Sequence, residues 1–238
     1  MADDWRNVSI RILGNYTSVY YGYRGWYLTP RARTQPITRD RDSYRDQGDR
    51  KAAGTLFRKI LANDLGILWT LTFSEPVSDW NVMSDHLTRF WRRLNYRLER
   101  RVPYLAIGAP HEKRTCPEGK PALHIHAATA EDLDQELLQQ TWGEGFIHPG
   151  DPAKADPLRL AGYMRRNLFQ AAAVRPDGRM RYAASRGLEE QTGATQHLRI
   201  LNPDCLGVVL ANLGGELVSE QESRSELWAG RSLLLRRG

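Results

Sequence analysis

Residues 122–128 read ALHIHAA, which sets two histidines one residue apart in a stretch composed like a strand. Successive strand side chains point to opposite faces, so Leu123, Ile125 and Ala127 share one face and His124 and His126 the other. The apolar set suits a core. That leaves two imidazoles side by side, their Cα atoms roughly 6.5–7 Å apart by the strand rise. Two ligands of one metal ion would be placed in this way. The plain alternative is a pair of partly exposed polar residues on the wet face of a sheet, and this stretch alone does not choose between them.

The elements that must position these groups follow from periodicity and punctuation. Residues 158–173 read as a helix ended by the RPDG turn at 175–178. GILWTLTF (66–73) is β-branched and aromatic, a strand stopped by Pro76. PYLAIGA (103–109) is the next strand, and 111–121 links it to ALHIHAA. Between Asp79 and Arg101, Leu87, Phe90, Trp91, Leu94 and Leu98 recur at helical spacing, with Arg89, Arg92, Arg93, Arg97 and Arg100 on the other face. A solvated face is the default for such charges; a phosphate-facing surface is the alternative. TLFRKILAND (55–64) and EDLDQELLQQTW (131–142) read as helices, the latter with its acids toward the N-terminus, as the dipole prefers. A short strand and a Pro/Gly loop fill 142–157, RMRYAA is strand-like, and a helix is expected around 204–213. Residues 1–28 and the final tail give no assignment. Strands interleaved with helices, with a short hairpin-like link, predict an α+β fold: a central antiparallel sheet of about five strands flanked by helices.

The chain of 238 residues carries a net charge of +6. All of that excess lies in residues 1–60, which hold 12 Lys/Arg against 6 Asp and no Glu. Much of it is in PRARTQPITRDRDSYRDQGDRK (30–51), a composition that favours polyanions and suits either a solvated arm or a nucleic-acid contact. No apolar run has the length needed to span a bilayer, and the acidic start MADDWRN lacks a secretion-signal pattern. Cys116 and Cys205 sit far apart, which favours reduced thiols in a cytoplasmic protein over a single disulfide. No phosphate-loop pattern occurs.

Three segments line up in order: Thr70-Leu71-Thr72, His124-Ile125-His126, and Tyr163 followed three residues later by Arg166. In this the chain resembles the HUH superfamily of single-strand nucleases, and within it the rolling-circle replication initiators of plasmids and phages. FWRRL, the Trp142-Gly-Glu-Gly145 step and RYAASRGL (181–188) add to the resemblance, which spans roughly 55–190. It implies a basic, partly flexible N-terminal extension (1–54), an endonuclease domain (55–190) and a C-terminal helical extension (191–238). It further implies that a divalent ion (Mn²⁺ or Mg²⁺) held by His124 and His126 polarises a DNA phosphate. Tyr163 then attacks, giving a 5′-phosphotyrosine and a free 3′-hydroxyl. Arg166, one turn away, would stabilise the charge; the family usually has Lys there, and Arg hardly titrates.

The third ligand is expected on the neighbouring strand. Register puts it near Ala109, where no acid stands; Glu112 is chosen over His111 and Glu118 because hard ions favour oxygen. Where many relatives carry a second Tyr, this chain has Asn167, so a single nucleophile is implied. Expected DNA contacts are Arg89, Arg92, Arg93, Arg165 and Arg186; Trp69 reads as core. The partners implied are single-stranded or origin DNA and a helicase from the host. Relaxases place the Tyr before the HUH strand, so the order here favours the initiator. Phosphoesterases with a third alternating His are disfavoured by Ala128. A fold kept only for binding DNA is the non-enzyme reading.

Overall fold

A computed structural model describes residues 6–24, 41–191, 193–200, 205–225 and 228–237. Residues 30–40 of the arginine-rich segment lie outside the described residues, and 41–51 are helical. The chain divides into two compact units, Ser43–Leu188 and a second made of Met1–Asp42 with Glu189–Gly238.

The larger unit holds helix α1 (Arg41–Ala62), strand β3 (Ile67–Phe73), helix α2 (Trp80–Arg97), the hairpin of β4 (Tyr104–Thr115) and β5 (Pro121–Thr129), α3 (Gln135–Trp142), β6 (Gly145–Pro149), α4 (Pro157–Ala172) and the short β7 (Ala183–Ala184). Its five strands form an antiparallel sheet in the order β6-β3-β5-β4-β7, flanked by helices as the pattern predicts.

Alternation along the strands sorts the two faces. Trp69, Leu71, Phe73, Leu123, Ile125 and Ala127 enter one core with Trp80, Met83, Leu87, Phe90, Trp91 and Leu94 of α2 and Leu138 and Trp142 of α3. Asp79 caps α2 by accepting from Asn81 N, and Asp134 caps α3 by accepting from Leu137 N, each satisfying a donor that a helix start leaves open. The Trp142-Gly-Glu-Gly145 step has two physical demands. Gly143 ends α3 at φ 67, and a Cβ on Gly145 would collide with the carbonyl oxygen of Thr72.

The opposite face meets α4, which packs mainly on β4. Asp156 caps α4 through Leu158 N and Arg159 N, with Pro157 at its first turn. The far end of α4 is tied to α1. Arg45 donates to the carbonyls of Ala172 and Arg175, and buried Asp49 accepts from Arg175 and Arg181.

Three expectations for this unit need correction. The helix read at 55–64 is the last part of a 22-residue helix, so a domain boundary at 55 falls inside α1. The link read at 111–121 is largely strand: β4 runs on to Thr115, with a register shift between Pro110 and Thr115. Pro110 cannot donate to the ladder, and a bulge is the usual consequence. The strand-like RMRYAA contributes only the two residues of β7.

The second unit joins the two ends of the chain. Strands β1 (Arg6–Leu13), β2 (Tyr16–Arg24), β8 (Gln196–Ile200), β9 (Glu216–Ser225) and β10 (Trp228–Arg236) form an antiparallel sheet ordered β8-β1-β2-β10-β9, with helix α5 (Cys205–Leu213). Val8, Ile10, Val19, Leu233 and Leu235 form its core, against Val209, Leu210 and Leu213 of α5. The region 191–238 is therefore not a helical extension; among its described residues are one helix and three strands. Pairing of β10 with β2 couples residues at opposite ends of the chain, which no local pattern reports.

Candidate active site

Strand register sets the first contacts. Thr70 on β3 stands opposite His126 on β5, and Ala109 on β4 opposite His124. Nε2 of His126 lies 2.9 Å from Nε2 of His124 and 3.0 Å from the Tyr163 hydroxyl, while its Nδ1 lies 3.2 Å from Thr70 Oγ1. With the His126 proton on Nδ1 and donated to Thr70, Nε2 offers its lone pair to the Tyr163 O–H. The His126 and Tyr163 rings meet edge-on at 5.0 Å. Nδ1 of His124 is buried with no hydrogen-bond partner among the described residues.

Burial governs the electrostatics. It pulls His126 down to about 3, with His124 adding, and His124 down to about 4, with His111 adding. Both imidazoles are therefore neutral near pH 7, the state in which imidazole binds a metal. Burial raises the Tyr163 hydroxyl above its ordinary value; a hydrogen bond from the Asn167 side chain opposes this, Glu112 adds to it, and Arg166 opposes it. Asn167 Nδ2 also donates to the Tyr163 carbonyl at 3.0 Å.

The structure brings together His124, His126 and Tyr163, and places Arg166 near enough for its charge to favour the phenolate. Glu112 is exposed, and its charge reaches Tyr163. The His111 ring meets His124 edge-on at 5.4 Å. The reason is the strand period: His111 falls two residues after Ala109, on the side that Ala109 shares with His124. Among the described residues no group of three His, Cys, Asp or Glu is placed to hold an ion. The donors thus fit a divalent ion as far as the two converging nitrogens, with other positions left to phosphate or water oxygen.

The expected DNA-contacting arginines scatter. Arg165 is exposed on α4 beside Arg166. Arg186 follows β7, where Ser185 N bonds Tyr104 O at the far end of β4. That is about 17 Å of strand from the His124 level. Arg89, Arg92 and Arg93 lie on α2, across the sheet from the imidazoles, and Arg89 contacts His86 at 3.0 Å. Trp69 is core, its Nε1 donating to Thr129 Oγ1 at 2.9 Å. Cys116 is buried and free.

Two features escape a reading by motif. Thr70 orients His126, although TLT itself signals only a strand. On edge strand β6, Phe146 stands opposite Thr72 and His148 opposite Thr70, so both share the face of His126. Phe146 is 62% exposed, an unusual position for a Phe, and its ring centroid lies 6.5 Å from that of His148. The alternation F-x-H was the available signal.

Fold and site together define an α+β protein whose antiparallel sheet carries an imidazole pair and a phenol on one face. The chain matches no family model, no curated protein and no solved structure. Among the described residues no helix is long and apolar enough to cross a membrane.

Proposed function

We propose that this chain is a single-stranded DNA nickase and strand-transferase of the HUH type, acting at an origin to start rolling-circle replication. The observation that carries the reading is the Tyr163 hydroxyl 3.0 Å from His126 Nε2, which itself converges with His124 Nε2 at 2.9 Å. A phenol from α4 and two neutral imidazoles from β5, segments distant in sequence, are placed at one point on one face of the sheet.

Tyr163 supplies the nucleophilic oxygen. Its bond to phosphorus forms as the bond to the 3′-oxygen breaks, and the phenolic proton ends on that leaving oxygen through solvent. The products are a phosphotyrosine and a 3′-hydroxyl; because the phosphodiester count is unchanged, the step reverses and can rejoin strands. A divalent ion (Mn²⁺ or Mg²⁺) on His124 and His126 would supply Lewis acidity to the phosphate. Thr70 holds the His126 ring, and Arg166 favours the anionic oxygen of Tyr163. Phe146 and His148, about two strand spacings (~10 Å) from His126, offer aromatic surface on which unpaired bases stack.

The test incubates the chain with labelled single-stranded DNA and Mn²⁺, resolves products on a denaturing gel, and maps adducts by mass spectrometry. A DNA adduct on Tyr163, absent in Tyr163→Phe and with chelator, is the expected result. DNA binding with no adduct on any strand, the replicon's own origin included, would reject the chemistry. It would favour a binding-only protein.

A further inference from the structure

Across the sheet from the imidazoles, a cleft of about 470 Å³ opens between α2 and α3, lined by Arg92, Arg93, Tyr96 and Arg97 of α2 and Gln140 and Thr141 of α3. Its composition is one-sided: three guanidinium groups line it and no carboxylate does. The neighbouring arginines are already engaged. Arg100 forms a two-pronged pair with Glu131, and Arg89 reaches His86. Arg92 and Arg93 make no ion pair among the described residues. Arg97 donates to Thr141 Oγ1 at 3.3 Å, which joins α2 to α3 at the cleft, and within α3 Gln140 donates to Glu136 at 3.2 Å.

Tyr96 is the second independent observation. It is 85% exposed, although α2 buries every other aromatic that it carries. A tyrosine left in water beside three cations presents a π-face to whatever the cations attract. Phosphodiester backbone matches the guanidinium groups, and an unpaired base matches the ring. Duplex DNA would offer the phosphates but keep its bases stacked on each other. We infer that this cleft is a second single-strand nucleic-acid site, gripping phosphates with Arg92, Arg93 and Arg97 and stacking a base on Tyr96, on the face of the sheet opposite the His–Tyr cluster. The identity of the strand as DNA rests on the function proposed above; the binding chemistry does not.

The experiment measures fluorescence anisotropy of a labelled oligo-dT of about 20 nucleotides, and of a matched duplex, across a salt series. The full chain is compared with Arg92→Gln/Arg93→Gln and with Tyr96→Ala, each in native and Tyr163→Phe backgrounds. All three positions are exposed, so folding is expected to hold, checked by the unfolding midpoint. The arginine pair should flatten the log–log salt slope by about 1.4, at ~0.7 per single-strand phosphate. Tyr96→Ala should weaken oligo-dT binding about fivefold or more and leave duplex binding unchanged. Lys51→Gln/Lys120→Gln removes the same charge elsewhere and should not reproduce the slope change. Unaltered slope and affinity in the cleft variants would overturn the site, as would duplex binding that exceeds single-strand binding and ignores Tyr96. Cleft-dependent binding without any Tyr163 adduct keeps the cleft and removes the proposed chemistry. An adduct with indifferent cleft variants does the reverse.

Discussion

On one face of the β6-β3-β5-β4-β7 sheet, Leu71, Leu123, Ile125 and Ala127 meet the aromatic side chains of α2 and α3; one residue along the same strands, Thr70, His124 and His126 face Tyr163. The first face is filled with apolar volume: Phe90 packs edge-on to Trp142 at 5.6 Å, and Trp91 stacks on Tyr104 at 3.9 Å. The second holds imidazoles that burial penalises whenever they are charged. One face stabilises and the other costs stability near and below pH 6. Local cost without a packing return is what functional sites show.

The sharpest way to separate the faces is to damage each in turn. Trp142→Ala leaves a cavity in the apolar face and is expected to cost about 3–5 kcal/mol, read as a fall in the urea midpoint. His126→Gln at pH 7 should cost far less, under about 1.5 kcal/mol, because it replaces one hydrogen-bonded polar group by another. Equal losses would break the contrast.

Acid supplies the next largest effect. Unfolded, each histidine has its ordinary value near 6.5; folded, they sit at about 4 and about 3. Below pH 6.5 the unfolded chain therefore takes up protons that the folded chain refuses. Stability is complete above that pH and falls as pH drops toward the folded values. At pH 5 the loss is at most about 2 kcal/mol per histidine. Unfolding midpoints measured from pH 7.5 to 4.5 in chelator should fall less steeply in His124→Gln/His126→Gln than in the native chain. Parallel curves would mean that the imidazoles are not buried as described.

The smallest effect concerns Thr70. Thr70→Val keeps the shape and removes the bond to His126 Nδ1, a change of about 0.5–1.5 kcal/mol. It should shift the His126 tautomer signals in ¹⁵N spectra and slow adduct formation a few-fold. An unchanged ¹⁵N spectrum would show that Thr70 does not orient the ring.

Much of this was legible in residue order. The apolar spacing of Leu87, Phe90, Trp91 and Leu94 reports α2, and the alternation in ALHIHAA reports both faces of β5, because helix and strand periods are local consequences of backbone geometry. The hairpin of β1 and β2 was within reach: VSIRIL and TSVYYGY alternate around Gly14-Asn15, a turn pair. Strand parity, weighed beside ligand chemistry, would have drawn attention to His111 as well as Glu112, since His111 falls two residues after Ala109 and its ring meets that of His124. The strands at 216–236 carried little signal, since β9 and β10 draw their register from partners far away in the chain.

Strand and helix periodicity, with the short link between two of the strands, was enough to set out an antiparallel α+β sheet with two imidazoles on one face and a helix carrying a phenol. Tertiary structure alone decided that the phenol reaches His126 rather than solvent. It also set the His111 ring against His124, and lined a cleft between α2 and α3 with Arg92, Arg93 and Arg97. Periodicity determines which way a side chain leaves its own element; what it meets depends on the packing of elements distant in sequence.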